Sequence, residues 1–176
     1  MKTRVEPGLD RLLLDDAARV LADQRVGLVT NTSSITRALV PTRDALCDAG
    51  VRIVALFGPE HGFSATVADA EPVPSSRDRR TGLPVYSLFG ESYKPTLAML
   101  DGIDALVYDL QDVGVRFYTF TTTLALLLEA CAENQLPLIV LDRPNPITGL
   151  FVEGPLLDPS QQSFLDRKST RLNSSH

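Results

Sequence analysis

Glu60 and His61 stand between two glycines and a proline in Gly58-Pro59-Glu60-His61-Gly62, directly after the strand-like run Val51-Arg-Ile-Val-Ala-Leu-Phe57. Glycine permits left-handed turns and proline ends a strand ladder, so this loop presents a carboxylate and an imidazole at the sheet edge. A carboxyl group in an apolar setting keeps its proton at neutral pH and can serve as an acid. Phe57 and Phe63 flank the loop, which makes Glu60 the candidate proton donor. Similar polar groups close the other apolar runs. Asn31 follows Arg25-Val-Gly-Leu-Val-Thr30, Asp109, Gln111 and Asp112 end the run from Asp104, and Asp142-Arg143 follows Leu138-Ile-Val-Leu141.

Two carboxyl groups across a crevice suit glycoside hydrolysis, in which one protonates the leaving oxygen and the other attacks the sugar or activates water. Asp112 or Asp109 is the candidate second carboxylate beside Glu60. A separation of about 5–5.5 Å would mean a nucleophile and retention, and about 6.5–9.5 Å a water and inversion. His61 either orients Glu60, bonds a substrate hydroxyl or serves the loop alone. Arg116, beside Phe117 and Tyr118, either clamps a carboxylate while the aromatics offer flat faces to a sugar, or pairs with Asp112. Asn31 bonds substrate hydroxyls or closes an Asx-turn, and Asp142-Arg143-Pro-Asn-Pro146 is a substrate-facing or purely rigid turn.

These groups share one site only if their strands share one edge. Near-continuous Val/Ile/Leu runs at 25–30, 51–57, 83–88, 104–110 and 138–141 alternate with helical spacing at 9–23, 42–49, 95–102 and 118–133. That order predicts an α/β fold, a Rossmann-like parallel sheet with helices on both faces. All the strand ends then open on one crevice. Residues 63–82, rich in Pro, Ser, Asp and Arg, read as a long loop.

Several chemistries lack their signatures. No GxGxxG or GxxxxGK[ST] follows a strand, so no nucleotide cofactor is expected. GxSxG is absent as well. A metal set of Glu60, His61, Asp109 and Asp142 lacks ligand spacing, so the expectation is no metal, with a metal-dependent hydrolase kept as a rival. Cys47 and Cys131, without CxxC spacing, read as buried thiols.

Asp166-Arg-Lys-Ser-Thr-Arg-Leu-Asn-Ser-Ser-His176 reads as a translated sequencing-adapter oligonucleotide, which leaves 1–165 as the natural domain and the chain as a fragment. Without Asp166, Arg167, Lys168 and Arg171, Lys+Arg falls from 17 to 14 and Asp+Glu from 22 to 21, moving the formal net charge from −5 to −7. An acidic chain without a basic cluster excludes a nucleic-acid partner. No apolar run approaches membrane-spanning length, and Met1-Lys-Thr-Arg lacks a signal h-region. As written, the chain reads as cytoplasmic.

Four stretches together resemble one family: Gly58-Pro-Glu-His-Gly62, Arg80-Thr-Gly-Leu-Pro-Val-Tyr-Ser-Leu88, Asp109-Leu-Gln-Asp-Val-Gly-Val-Arg-Phe-Tyr-Thr119, and Leu141-Asp-Arg-Pro-Asn-Pro146 with Val152-Glu-Gly-Pro155. Over about residues 8–164 the chain is similar to the exo-β-N-acetylmuramidases of the NamZ type. The resemblance implies removal of non-reducing terminal N-acetylmuramic acid from muropeptides or peptidoglycan-derived saccharides. It also implies a Rossmann-like domain followed by a smaller second domain, absent here, with the site between them, and an exported location in many relatives. By motif position, Glu60 is then the catalytic acid, while His61, Asp112, Arg116 and Tyr118 fall on the other cleft motifs. The lactyl carboxylate of the sugar suits Arg116 as its partner. Without the second domain, the fragment is expected to be inactive. A non-catalytic cell-wall sugar-binding domain is the alternative.

Overall fold

The computed structural model describes residues 5–15, 17–155, 158, 160, 163 and 164; the proposed adapter translation at 166–176 lies outside them. Six strands form one sheet in the order β3-β4-β2-β1-β5-β6. They are β1 Val26–Thr30, β2 Ile53–Gly58, β3 Ser76–Arg77, β4 Pro84–Ser87, β5 Ala105–Asp109 and β6 Leu138–Val140. All neighbouring pairs are parallel except β3 with β4. Leaving out that two-residue edge strand, the parallel strands lie in the order of a doubly wound sheet, with the reversal between β1 and β5.

The apolar runs become the central strands because both faces are covered. All five residues of β1 and of β5 are buried. Side chains alternate between two cores, as strand geometry requires. Val26, Leu28 and Val107 pack with Leu9, Leu21 and Leu46 on one face. Val29, Leu106 and Tyr108 pack with Leu100, Phe120, Leu127 and Cys131 on the other. The first face is covered by α1 (Gly8–Leu14), the segment through α2 (Ala17–Val20), and α3 (Thr42–Asp48). The second is covered by α4 (Leu97–Leu100) and α5 (Thr119–Asn134). Among the described residues no helix is long and apolar enough to cross a membrane.

Three local expectations change. The single helix over 9–23 is two pieces, because α1 stops at Leu14 with Asp15 as its C-cap. A carboxylate there faces the negative end of the helix dipole and disfavours continuation. The loop 63–82 contains β3, whose two exposed residues carry no apolar pattern to reveal a strand. Cys131 is buried as expected, but Cys47 is exposed, since α3 turns Thr42, Ala45 and Leu46 to the interior and leaves Cys47 outside.

The start of β1 is tied to that of β5 by a fork. Asp104 accepts from the Arg25 backbone N at 2.8 Å, from Nε at 3.0 Å and from Nη2 at 2.9 Å. The hydrogen bonds from Arg25 hold the Asp104 carboxyl down to about 2, against an ordinary 3.8. A depressed folded-state value makes the contribution complete above the unfolded value and lost as pH falls through the folded one. The Asp104→Asn variant is therefore expected to be less stable than the parent at pH 7, with the difference shrinking between about pH 4 and pH 2. Urea midpoints measured across that range check it; a difference independent of pH contradicts it.

Candidate active site

The turn bearing Glu60 is built by close approach. Gly62 N donates to Pro59 O at 2.9 Å, so Glu60 and His61 are the two central residues of a β-turn. His61 has φ 68° and Gly62 φ 77°, two left-handed residues in succession that fold the chain back on itself. A Cβ at Gly58 would lie 2.6 Å from Phe63 N, so only glycine lets the returning loop lie on the strand end. Gly58→Ala is expected to destabilise the fold by about 1–3 kcal/mol, the usual overpacking penalty, because the obstructing atom is backbone. Gly149→Ala, with open space around it, is the neutral control. Urea unfolding of both variants checks the contrast.

Glu60 reaches across to the helix after β5. Its Oε2 accepts from Thr119 Oγ1 at 2.7 Å, and its Oε1 from Ala70 N at 3.0 Å. Thr119 is the first residue of α5, and Tyr118 is its N-cap. Tyr118 packs on Phe120 with ring centroids 4.6 Å apart. Burial raises the Tyr118 phenol above its ordinary value, and the charges of Asp112 and Glu60 raise it further. The phenol thus stays protonated, able to donate. Asp112 Oδ1 accepts from Gly114 N at 3.1 Å in the turn after β5. Its Oδ2 has no hydrogen-bond partner among the described residues. Glu60, Asp112, Tyr118 and Thr119 therefore converge across the edge between β2 and β5.

The other candidates go elsewhere. Asn31 Oδ1 is taken by Ser33, at 3.0 Å from N and 2.6 Å from Oγ, which is the Asx-turn reading. Asp109 is fully buried and accepts from Arg143 Nε at 2.6 Å, Arg143 Nη2 at 2.9 Å and Thr42 Oγ1 at 2.5 Å. Arg143 also donates to Ile35 O at 3.1 Å. This ion pair fills the β1–β5 switch point with the protein's own groups and commits both side chains to each other. The Asp142 side chain is exposed, while its backbone O accepts from Gly8 N at 2.6 Å. Arg116 is exposed and donates to Pro155 O at 2.7 Å, not to Asp112. His61 Nδ1 donates to Val67 O at 3.0 Å, which organises the following loop, and its Nε2 lies 3.6 Å from Asp69.

Phe57 and Phe63 lie on opposite sides of the sheet. Phe57 lies in the sheet core against Tyr86, and Phe63 packs on the opposite core under the Arg43 guanidinium. Among the described residues no three His, Cys, Asp or Glu side chains converge as a ligand set. Thr119 escaped the sequence reading. The signal was a hydroxyl on the first turn of a helix that leaves a strand end lined with acids.

Comparison with known proteins gives a consistent picture. The N-terminal domain profile of exo-β-N-acetylmuramidase NamZ matches residues 26–174. Peptidoglycan β-N-acetylmuramidase NamZ of Bacillus subtilis (strain 168) is 44% identical over 165 residues, covering 93% of this chain and 40% of that protein. The crystal structure of a DUF1343 family protein from Bacteroides fragilis NCTC 9343 superposes with a TM-score of 0.84 at 43% identity, over 95% of this chain and 42% of that one. A second DUF1343 protein from the same organism gives 0.76 at 32% identity, over 93% and 41%. The chain spans about two fifths of the length of the relatives it matches.

Proposed function

This chain belongs to the NamZ N-terminal domain family, and from that premise we propose that it carries the proton-donor side of an exo-acting glycoside hydrolase. The substrate is a peptidoglycan fragment, and the product is its non-reducing terminal N-acetylmuramic acid. The observation that carries the reading is the placement of Glu60, fixed by Thr119 and Ala70 N at the sheet edge, with Asp112 and Tyr118 beside it.

Glu60 protonates the glycosidic oxygen as the bond to the leaving sugar breaks. Asp112, through Oδ2, is the second carboxylate, stabilising the developing positive charge or acting on the opposite face of the ring. Tyr118 donates to a carboxylate or to a sugar hydroxyl. Asp109 and Arg143 act as positioning residues, since their pair ties the ends of β5 and β6 together. Asn31 positions through its turn, and Asp142 and Arg116 remain exposed at the rim, where they can meet substrate.

Completion of the cleft falls to the remainder of the relatives' length. A surface is available for it. Phe117, Ile147, Leu150, Phe151 and Val152 are between 54% and 99% exposed, an apolar stretch beside the strand exits. The 176-residue chain alone is therefore expected to release no sugar. A chimera that continues it with the rest of the Bacillus subtilis relative is expected to release N-acetylmuramic acid from a peptidoglycan-derived disaccharide. Mass spectrometry of the products checks both. Release by the short chain would contradict the shared cleft, and silence of a folded chimera would contradict the activity.

A further inference from the structure

A cavity of about 490 Å³ opens on the β4 side of the Glu60 turn, between the loop 61–67 and the hairpin that contains β3. His61, the neighbour of Glu60 in that turn, lines it, together with Arg77, Asp78, Arg79 and Tyr86. Its volume falls within the range of small-molecule sites, about 300–1,000 Å³.

The charges around this cavity do not cancel. Asp78 is already committed: it accepts from Arg43 Nη1 at 2.9 Å, Thr81 N at 3.0 Å and Thr81 Oγ1 at 2.5 Å. Arg77 donates to Gly82 O, a neutral acceptor, at 3.0 Å. Arg79 has neither a hydrogen bond nor an ion pair among the described residues. Elsewhere in this net-acidic chain, Arg11, Arg25, Arg37, Arg43, Arg80 and Arg143 each hold a carboxylate. Among the described residues Arg19, Arg52 and Arg116 likewise hold no carboxylate, but Arg77 and Arg79 stand together in one cavity.

The wall carrying them is also braced. Ser76 pairs with Val85 and Arg77 with Pro84 across the hairpin. Arg43 and Arg80 pin it to α3 through Asp78 and Asp44. Arginines carried on a braced wall lose less freedom when a ligand arrives. A guanidinium presents a planar fork that matches a carboxylate.

We propose that this cavity is a subsite for a carboxylate carried by the substrate saccharide, with Arg79 and Arg77 as its cationic partners. The proposal rests on the saccharide reading above and assigns the anionic group to the β4 side of Glu60, away from Arg116. The carboxylate belongs either to the lactyl ether of the sugar or to a peptide attached to it.

Titration of the ¹⁵N-labelled 176-residue chain, followed by amide and arginine side-chain shifts, tests it. The probes are N-acetylmuramic acid, N-acetylglucosamine, muramyl dipeptide and 2-methoxypropanoate. N-acetylmuramic acid is expected to shift residues 61–67 and 76–79 and to bind about tenfold more tightly than N-acetylglucosamine, the gain from one charge-assisted bond. Arg79→Gln is expected to remove that advantage while leaving the remaining spectrum in place. Loss of the shifts in muramyl dipeptide, where the lactyl carboxyl is an amide, assigns the lactyl group; their gain assigns the peptide. Carboxylate-dependent shifts confined to residues 112–118 would overturn the subsite while sparing the saccharide reading. Shifts at 76–79 from 2-methoxypropanoate without response to any sugar would keep the anion site and overturn the saccharide. No response to any probe would overturn the subsite.

Discussion

Replacing Glu60 by glutamine in the chimera is expected to lower turnover of a natural muramic acid–sugar linkage by about 10²–10⁴-fold, the usual worth of a positioned general acid. Glutamine keeps one oxygen to accept from Ala70 N, and its NH2 can donate to Thr119 Oγ1, so the turn is expected to hold. What disappears is the proton. The loss must therefore depend on the leaving group. A sugar alkoxide needs protonation as it departs, whereas a nitrophenolate leaves largely unaided, so the chromogenic substrate suffers the smaller loss. KM is expected to change little, because ground-state contacts remain. Asp112→Asn is expected to slow both substrates alike, since Asp112 acts on the ring and not on the departing oxygen. Equal losses for both leaving groups in Glu60→Gln would remove Glu60 from the acid role.

Arg143→Ala is expected to destabilise the fold by about 3–5 kcal/mol, the cost of leaving a buried charge without its partner. Asp109 is fully buried, and the Arg143 side chain is 8% exposed. The two Arg143 bonds to Asp109 are joined by Thr42 Oγ1 on the same carboxylate and by Ser34 Oγ on the Asp109 backbone O at 2.6 Å. Through its carboxylate and its backbone O, Asp109 thus joins β5, the start of α3, the loop after β1 and the segment after β6. Arg143→Lys is expected to recover only part of the loss, because an ammonium cannot reproduce the fork and the bond to Ile35 O together. Urea unfolding of the three proteins measures it. A loss below about 1 kcal/mol, the scale of an exposed pair, would show that the switch point does not depend on this ion pair.

The sheet was legible in the sequence because its central strands are buried on both faces, and such strands must be apolar at every position. Val26–Val29 and Ala105–Tyr108 have that pattern, and the parallel order of β2, β1, β5 and β6 places Glu60, Asn31, Asp112 and Asp142 on one edge. The two-residue β3 was not legible, since exposed Ser76 and Arg77 carry no apolar signal. Within the site, sequence placed the polar groups at the edge without showing how they pair. Asp109 and Asp112 stand three residues apart and read alike, yet one is sealed by Arg143 from 34 residues away and the other keeps an unpaired Oδ2. Asn31 was ambiguous until Ser33 took its oxygen. Thr119 went unread because its partner Glu60 lies 59 residues upstream and meets it only through the β2–β1–β5 order. Such pairings are products of the assembled sheet.

Hydrolysis of a disaccharide carrying β-linked N-acetylmuramic acid at its non-reducing end by the chimera, beside the matching β-N-acetylglucosaminide and the Glu60→Gln variant, tests the assignment most directly. Glu60 as the proton donor of a muramic acid-releasing enzyme requires release from the muramide in preference to the glucosaminide, with a marked fall on substitution. Folded proteins that release neither product, or a Glu60→Gln variant as active as its parent, would contradict it. In the first case, a sugar-binding domain without catalysis becomes the better reading.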